Sequence, residues 1–155
     1  MKGILLDTNH VSARIAERPS FMDRLNRRPV DRSPLRVCAI TLAELELADL
    51  ITTTSDPEKR KLHRAFVIEW LHPWALEITR HTATNYSQIM ARIKAKHPHP
   101  NSHTQRGLAD LGVDIHDAWI TASAWEHNLI LLTTDTMALI REVVKDDVEF
   151  DNWCV

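Results

Sequence analysis

The sequence predicts an α/β protein: a mainly parallel β-sheet with helices covering both faces. Three observations predict it. Short apolar runs alternate with amphipathic stretches along the chain. Several of those runs stop at an acid or a polar cluster, as a buried strand does when it feeds a loop. No repeat, linker or shift in composition divides the 155 residues, a length that suits one domain, so a single domain over residues 1–155 is expected.

Residues 3–6 form the first strand, with Asp7 at its C-terminal end. Residues 11–16 and 21–28 read as two helical pieces separated by Pro19, with Ser20 a candidate cap for the second. Residues 35–40 form a second buried strand around Val37 and Ile40. Thr41 opens a helix to about residue 51, with Leu42, Leu45, Leu47 and Leu50 at inward-facing spacing. Asp56-Pro57-Glu58 starts a helix to about Trp70, a capping acid followed by proline at the first helical position. Residues 75–78 are a weak third strand, and residues 82–96 an amphipathic helix with Tyr86, Ile89, Met90 and Ile93 inward. Two prolines make residues 97–103 a loop. Near Asp114 a helix begins that runs over 115–128, followed by a strand at 129–133, a helix at 136–145 and an edge strand at 148–150.

Composition narrows the function classes. The apolar (44%) and charged (26%) fractions are those of a soluble globular protein, and no apolar run is long enough to span a bilayer. The N-terminal apolar stretch meets Asp7 too soon for a secretory signal, so a cytoplasmic location without membrane contact is expected. Cys38 and Cys154 form neither a disulfide framework nor a zinc pattern. A net charge of −2 leaves no global footprint for nucleic acid, although Arg14, Arg18, Arg24, Arg27, Arg28, Arg32 and Arg36 crowd one segment as a solvated face or a backbone-contacting patch.

Acids carry the functional signal. Ligands of an open parallel sheet bind beyond the carboxyl ends of its strands. Asp7 follows the first strand, Glu44 lies in the first turn of the helix after the second, and Asp135 follows the fourth. Asp117 lies in the first turn of the helix before that strand and can project back over the same edge, with Asp114 one turn earlier. Singly, each acid has a backbone explanation: Thr41 with Glu44 and Asp114 with Asp117 match capping spacing, and Asp7 and Asp135 match turn residues. Caps and turns do not require acids at nearly every functional end of one sheet. Two carboxylates about 5 Å apart repel by roughly 3 kcal/mol at an effective dielectric near 20, so four together need protons or cations. An all-oxygen donor set suits a hard ion, Mg²⁺ or Mn²⁺, which can polarise a phosphodiester and activate water. Thr8, Asn9 and Thr133 are auxiliary groups placed to orient the acids.

Other residue types offer less. His97, His99 and His103 share a proline-broken segment whose imidazoles need not converge, and His116 beside Asp117 reads as solvated, with proton transfer as its functional option. Trp70, Trp74, Trp119 and Trp125 sit at helical positions where an indole packs or meets a partner; Trp153 either anchors an interface or folds back.

The segments "LLDTN", "TLAELELA" and "DAWITASAWEHNLILLTTD", in that order, resemble PIN domains, and most closely the toxins of VapBC-type toxin–antitoxin pairs. The family's acids match Asp7, Glu44, Asp117 and Asp135. Over the whole chain the resemblance implies a three-layer α/β/α sandwich, Mg²⁺ or Mn²⁺ dependence and endonucleolytic hydrolysis of RNA. It also implies a cognate VapB-type antitoxin that occludes the acidic pocket, and a homodimer. Thr121 stands where the family often has alanine, and Met137-Ala138 where many relatives have an acid and an aromatic, which leaves any second metal one acid fewer. Two rivals remain: a phospho-accepting receiver module, which needs paired acids after the first strand where Thr8-Asn9 stand here, and a PIN-like scaffold that binds without cutting, which would be expected to have lost one of the four acids.

Overall fold

The computed structural model describes residues 2–28, 35–51, 57–98 and 109–155. Five strands, β1 (Ile4–Leu6), β2 (Leu35–Cys38), β3 (Ala75–Leu76), β4 (Ile130–Leu132) and β5 (Glu149–Asp151), form one sheet in the order β3-β2-β1-β4-β5. Every neighbouring pair is parallel, the late edge strand included. Parallel strands need crossovers, and these put helices on the two faces. Side chains alternate across β1 accordingly. Leu5 joins Ile89, Ile93, Ala118, Ala122 and Leu131 on one face; Ile4 and Leu6 join Val11, Phe21, Val37 and Leu45 on the other. Two apolar layers around one sheet give the expected three-layer α/β/α sandwich.

The first of those faces is covered by α5 (Arg80–Lys96), α6 (Ile115–Glu126) and α7 (Ala138–Val144). Ala118, Ala122 and Ala124 are fully buried, so small side chains let α6 approach its neighbours closely. Thr121 is accommodated because its hydroxyl donates to the Asp117 carbonyl at 2.7 Å, one helical turn back. On the opposite face lie α1 (Thr8–Ile15), α2 (Pro19–Asn26) and α3 (Ala39–Ile51), followed by α4 (Pro57–Ala65), which continues as a π-helical turn over Phe66–Leu71.

Element boundaries depart from expectation in instructive ways. The first helix begins at Thr8, not residue 11, because Asp7 caps it by accepting the His10 N–H. Pro19 occupies the first turn of α2, so Ser20 lies inside that helix and caps nothing. Since α3 begins at Ala39, Thr41 is helical and buried, and no Thr41–Glu44 capping box exists. Leu45 is buried, but Leu47 and Leu50 are 55% and 78% exposed, so the inward stripe read for this helix ends at its third turn. The expected cap Asp56, together with Arg32, His99 and His103, lies outside the described residues.

Tryptophans mostly pack. Trp119 stacks on Tyr86 with ring centroids 4.2 Å apart, Trp70 on Phe66 at 4.8 Å, and Trp153 folds back onto Phe21 at 5.7 Å. The early arginines are engaged locally: Arg14 lies over Phe66 and Trp70, Arg28 over Trp153 and Arg36 over Trp74, while Arg24 and Arg27 pair with Asp151 and Asp23. Met137, before α7, adopts left-handed backbone (φ 40°), which makes Thr136–Met137 a sharp corner after Asp135.

Candidate active site

The strand order reverses direction at β1, with β2 on one side and β4 on the other. That crevice is where open α/β sheets receive ligands. Asp7 leaves the end of β1, tied there by its backbone N–H to the Leu132 carbonyl at 3.1 Å. Asp135 follows β4 on the next strand over. Glu44 comes from α3, which directly follows β2, and Asp117 from the first turn of α6. An open cleft of about 400 Å³ is lined by Asp114, Asp117, Asp135, Gly112 and Met137.

The auxiliary residues join the acids across long stretches of sequence. Thr8 Oγ1 donates to Glu44 Oε2, and Asn9 Nδ2 donates to Asp135 Oδ2 at 3.1 Å. Thr133 acts differently from expectation: its hydroxyl accepts the Asp135 backbone N–H at 3.0 Å and so shapes the turn rather than touching the carboxylate. Asp114 caps α6, accepting the His116 N–H at 2.8 Å.

Asp117 feels the charge of the other three acids. Asp117 is pushed up to about 6, first by burial and then by the negative charges of Asp114, Asp135, Glu44 and Asp7. A helix N-terminus ordinarily favours a carboxylate, so its neighbours outweigh the dipole here. Asp7 is buried, and its Oδ1 accepts both the His10 backbone N–H at 2.7 Å and His10 Nδ1 at 2.9 Å. Its Oδ2 is the one buried carboxylate oxygen among the described residues with no hydrogen-bond partner. Leaving such an atom bare costs about 1–3 kcal/mol or more, which a cation would offset.

As they stand, no three His, Cys, Asp or Glu groups among the described residues are close enough to hold a metal ion. Glu44 is engaged by Thr8 and His116, and Asp135 by Asn9. The donor chemistry nevertheless fits a hard divalent ion: all-oxygen, one bare buried oxygen and one carboxylate destabilised by burial and by its like-charged neighbours. A shared cation would have to draw the side chains inward.

Two residues outran the sequence reading. His116 does not turn away from the site: its Nδ1 lies 2.7 Å from Glu44 Oε1, bridging α6 to α3. His10 drew no attention, yet it is the closest partner of Asp7; placing the helix start at Thr8 would have made it the third helical residue, where a cap reaches. His97 Nε2 lies 3.2 Å from Glu142 Oε2, at the surface.

The sheet order, the two helical layers and the acids at the switch point define a PIN-type α/β domain. The PIN domain family model matches residues 4–145, and the chain belongs to that family. Comparison with curated proteins finds no match. Among solved structures, the chain is similar to DNA-bound VapBC from Salmonella typhimurium (21% identity, TM-score 0.68, covering 99% of this chain and 100% of that one). It is similar to FitAcB from Neisseria gonorrhoeae (24%, TM-score 0.67, 96% of each chain). A third likeness is to VapBC-5 of Mycobacterium tuberculosis, described as a member of the VapBC family of toxin–antitoxin systems (19%, TM-score 0.55, 99% and 98%). At these identities the likenesses establish the fold.

Proposed function

We propose that this chain is the toxin of a type II toxin–antitoxin pair and a divalent-metal-dependent endoribonuclease, with Asp7, Glu44, Asp117 and Asp135 as ligands of Mg²⁺ or Mn²⁺. The observation that carries this reading is the joint state of two acids: Asp7 with a bare buried oxygen, and Asp117 raised to about 6 by burial and then by the other acids. Both are unfavourable in the empty site and favourable around a cation. When bound, the ion would polarise the scissile phosphodiester and lower the pKa of water so that it attacks near neutral pH.

The chain's own residues bind and orient. Thr8 and Asn9, in the first turn of α1 directly after Asp7, hold Glu44 and Asp135 by hydrogen bonds. His116 adds an ionisable imidazole beside Glu44 at the exposed rim. Without a cation the acids would repel an RNA backbone, so chelation should abolish both binding and cleavage. The antitoxin partner follows from the solved VapBC likeness, and a shallow groove of about 280 Å³ with exposed Leu50 and Ile68 beside Glu46, Asp49 and Arg64 offers it a surface. A single-domain, homodimeric, cytoplasmic protein completes the reading; among the described residues no helix is long and apolar enough to cross a membrane.

The test is cleavage of end-labelled RNA by the purified chain with Mn²⁺, with chelator, and after Asp7→Asn or Asp117→Asn. Activity should require the ion and fall by at least about a hundredfold in each variant, since each removes a charged ligand. Metal-dependent cutting at parental rate by both variants would place the chemistry elsewhere. Expression of the chain alone should arrest growth, and coexpression with a cognate antitoxin, sought as a short reading frame beside its gene, should restore it.

A further inference from the structure

His10 is fully buried beside Asp7, and nothing in the chemistry above uses it. Its imidazole spans two partners: Nδ1 lies 2.9 Å from Asp7 Oδ1, and Nε2 lies 3.0 Å from the backbone N of Trp153. A backbone N–H can only donate, so Nε2 must present its lone pair. A neutral imidazole has a single N–H, which is therefore on Nδ1 and donates to Asp7. The His10 backbone N–H reaches the same Oδ1 at 2.7 Å. One residue thus occupies one carboxylate oxygen twice and leaves Oδ2 bare.

We propose that His10 is a positioning residue for Asp7: its Nδ1–H, held in that tautomer by the main-chain N–H of Trp153, fixes the carboxylate in the rotation that offers Oδ2 to a divalent cation. The inference rests on the ligand role proposed above for Asp7. Carboxylate torsions are soft, so a free aspartate would present either oxygen over a wide arc; two donors on Oδ1 remove that freedom. The Trp153 amide is itself held. Its indole packs on Phe21, which is tilted against the His10 ring at 6.1 Å, and indole Nε1 donates to Asp151 Oδ2 at 2.9 Å, at the end of β5. The edge of the sheet is therefore linked to the acid on its central strand. Only histidine offers a donor at the δ position and an acceptor at the ε position of one rigid ring.

Three substitutions separate positioning from packing. His10→Asn keeps an N–H where Nδ1 stood, His10→Gln reaches the Nε2 position but loses the donor to Asp7, and His10→Phe keeps a ring and loses both. Mn²⁺ affinity is measured by titration calorimetry on the full chain, beside metal-free melting temperatures. The asparagine variant should stay within about threefold of the parent Kd, and the other two should weaken it by about tenfold or more. A folded His10→Phe protein with parental affinity overturns the proposal, as does an asparagine variant that loses as much as phenylalanine. Independently of any variant, ¹⁵N NMR of the metal-free parent should find the Nδ1–H tautomer of His10; the Nε2–H tautomer overturns it. If the parent binds no Mn²⁺, the metal-site reading fails and takes this proposal with it; if the parent binds Mn²⁺ and only the His10 results are contrary, this proposal fails alone.

Discussion

The two ends of α6 carry carboxylates in opposite circumstances. At its N-terminal end Asp117 is raised to about 6 by burial and by four acidic neighbours. At its C-terminal end Glu126 is held below the usual carboxylate range, because its hydrogen bonds from Thr79 and Thr82 and its histidine neighbours outweigh the opposing effect of burial. Thr79 Oγ1 donates to Glu126 Oε1 at 2.6 Å and Thr82 Oγ1 to Oε2, at the N-terminus of α5, where a helix dipole favours negative charge. One acid is fully satisfied by the fold; the other is left unfavourable by it. Residues kept in an unfavourable state inside a well-satisfied framework are candidates for function, whereas Glu126 is a joint between two helices.

That contrast can be broken in order of effect. Most strongly, Asp117→Asn should abolish RNA cleavage, whereas Glu126→Gln should retain parental activity per folded molecule; equal losses in both would erase the distinction. Next, Glu126→Ala strands two threonine hydroxyls and removes hydrogen bonds to a charge, so urea denaturation should report about 2 kcal/mol of lost stability. Smaller and opposite in sign, Asp117→Asn should stabilise the metal-free protein. The gain is on the order of 1–2 kcal/mol, because the half-exposed group is partly screened, and would raise the melting temperature by about 2–8 °C. Mg²⁺ should then stabilise the parent far more than this variant, by about 1.4 kcal/mol at ten times Kd for the parent.

Smallest is the pH dependence. The Asp117 pKa is raised on folding, so the folded chain holds its proton more tightly than the unfolded chain, and metal-free stability should fall as pH rises from about 3.8 to about 6 through this group. Glu126, lowered on folding, has the opposite sign: it contributes stability above its unfolded value of about 4.5, and that contribution is lost on acidification. Thermal melts of the two amide variants across this range separate the opposing slopes.

The layers of the sandwich were legible because β1 and β4 appear as unbroken apolar runs, and β2, though it carries Arg36, ends in the buried pair Val37-Cys38. Asp7, Asp117 and Asp135 stood out as candidates because each follows an apolar run or opens a helix, whereas Glu44 lies in the second turn of α3. What stayed hidden depended on where helices begin. A cap and a ligand use the same residue types, so Asp7 looked like a turn residue and the helix start was put three residues late, which concealed His10. Thr41 and Glu44 matched a capping box only because the helix was started two residues late. The exposure of Leu47 and Leu50 was equally invisible, since apolar spacing cannot tell a face that meets the core from one that meets solvent.

Asn9 and Asp135 touch although 126 residues separate them, and β1 takes β4 as its second neighbour only once residues 130–132 exist. A ribosome must therefore synthesise most of the polypeptide before the last acid is present. Until then the nascent chain exposes an unpaired edge at its innermost strand and holds an incomplete acidic centre. Translation that stops short of Ile130 yields a fragment that lacks both Asp135 and the strand that flanks β1 on its second side.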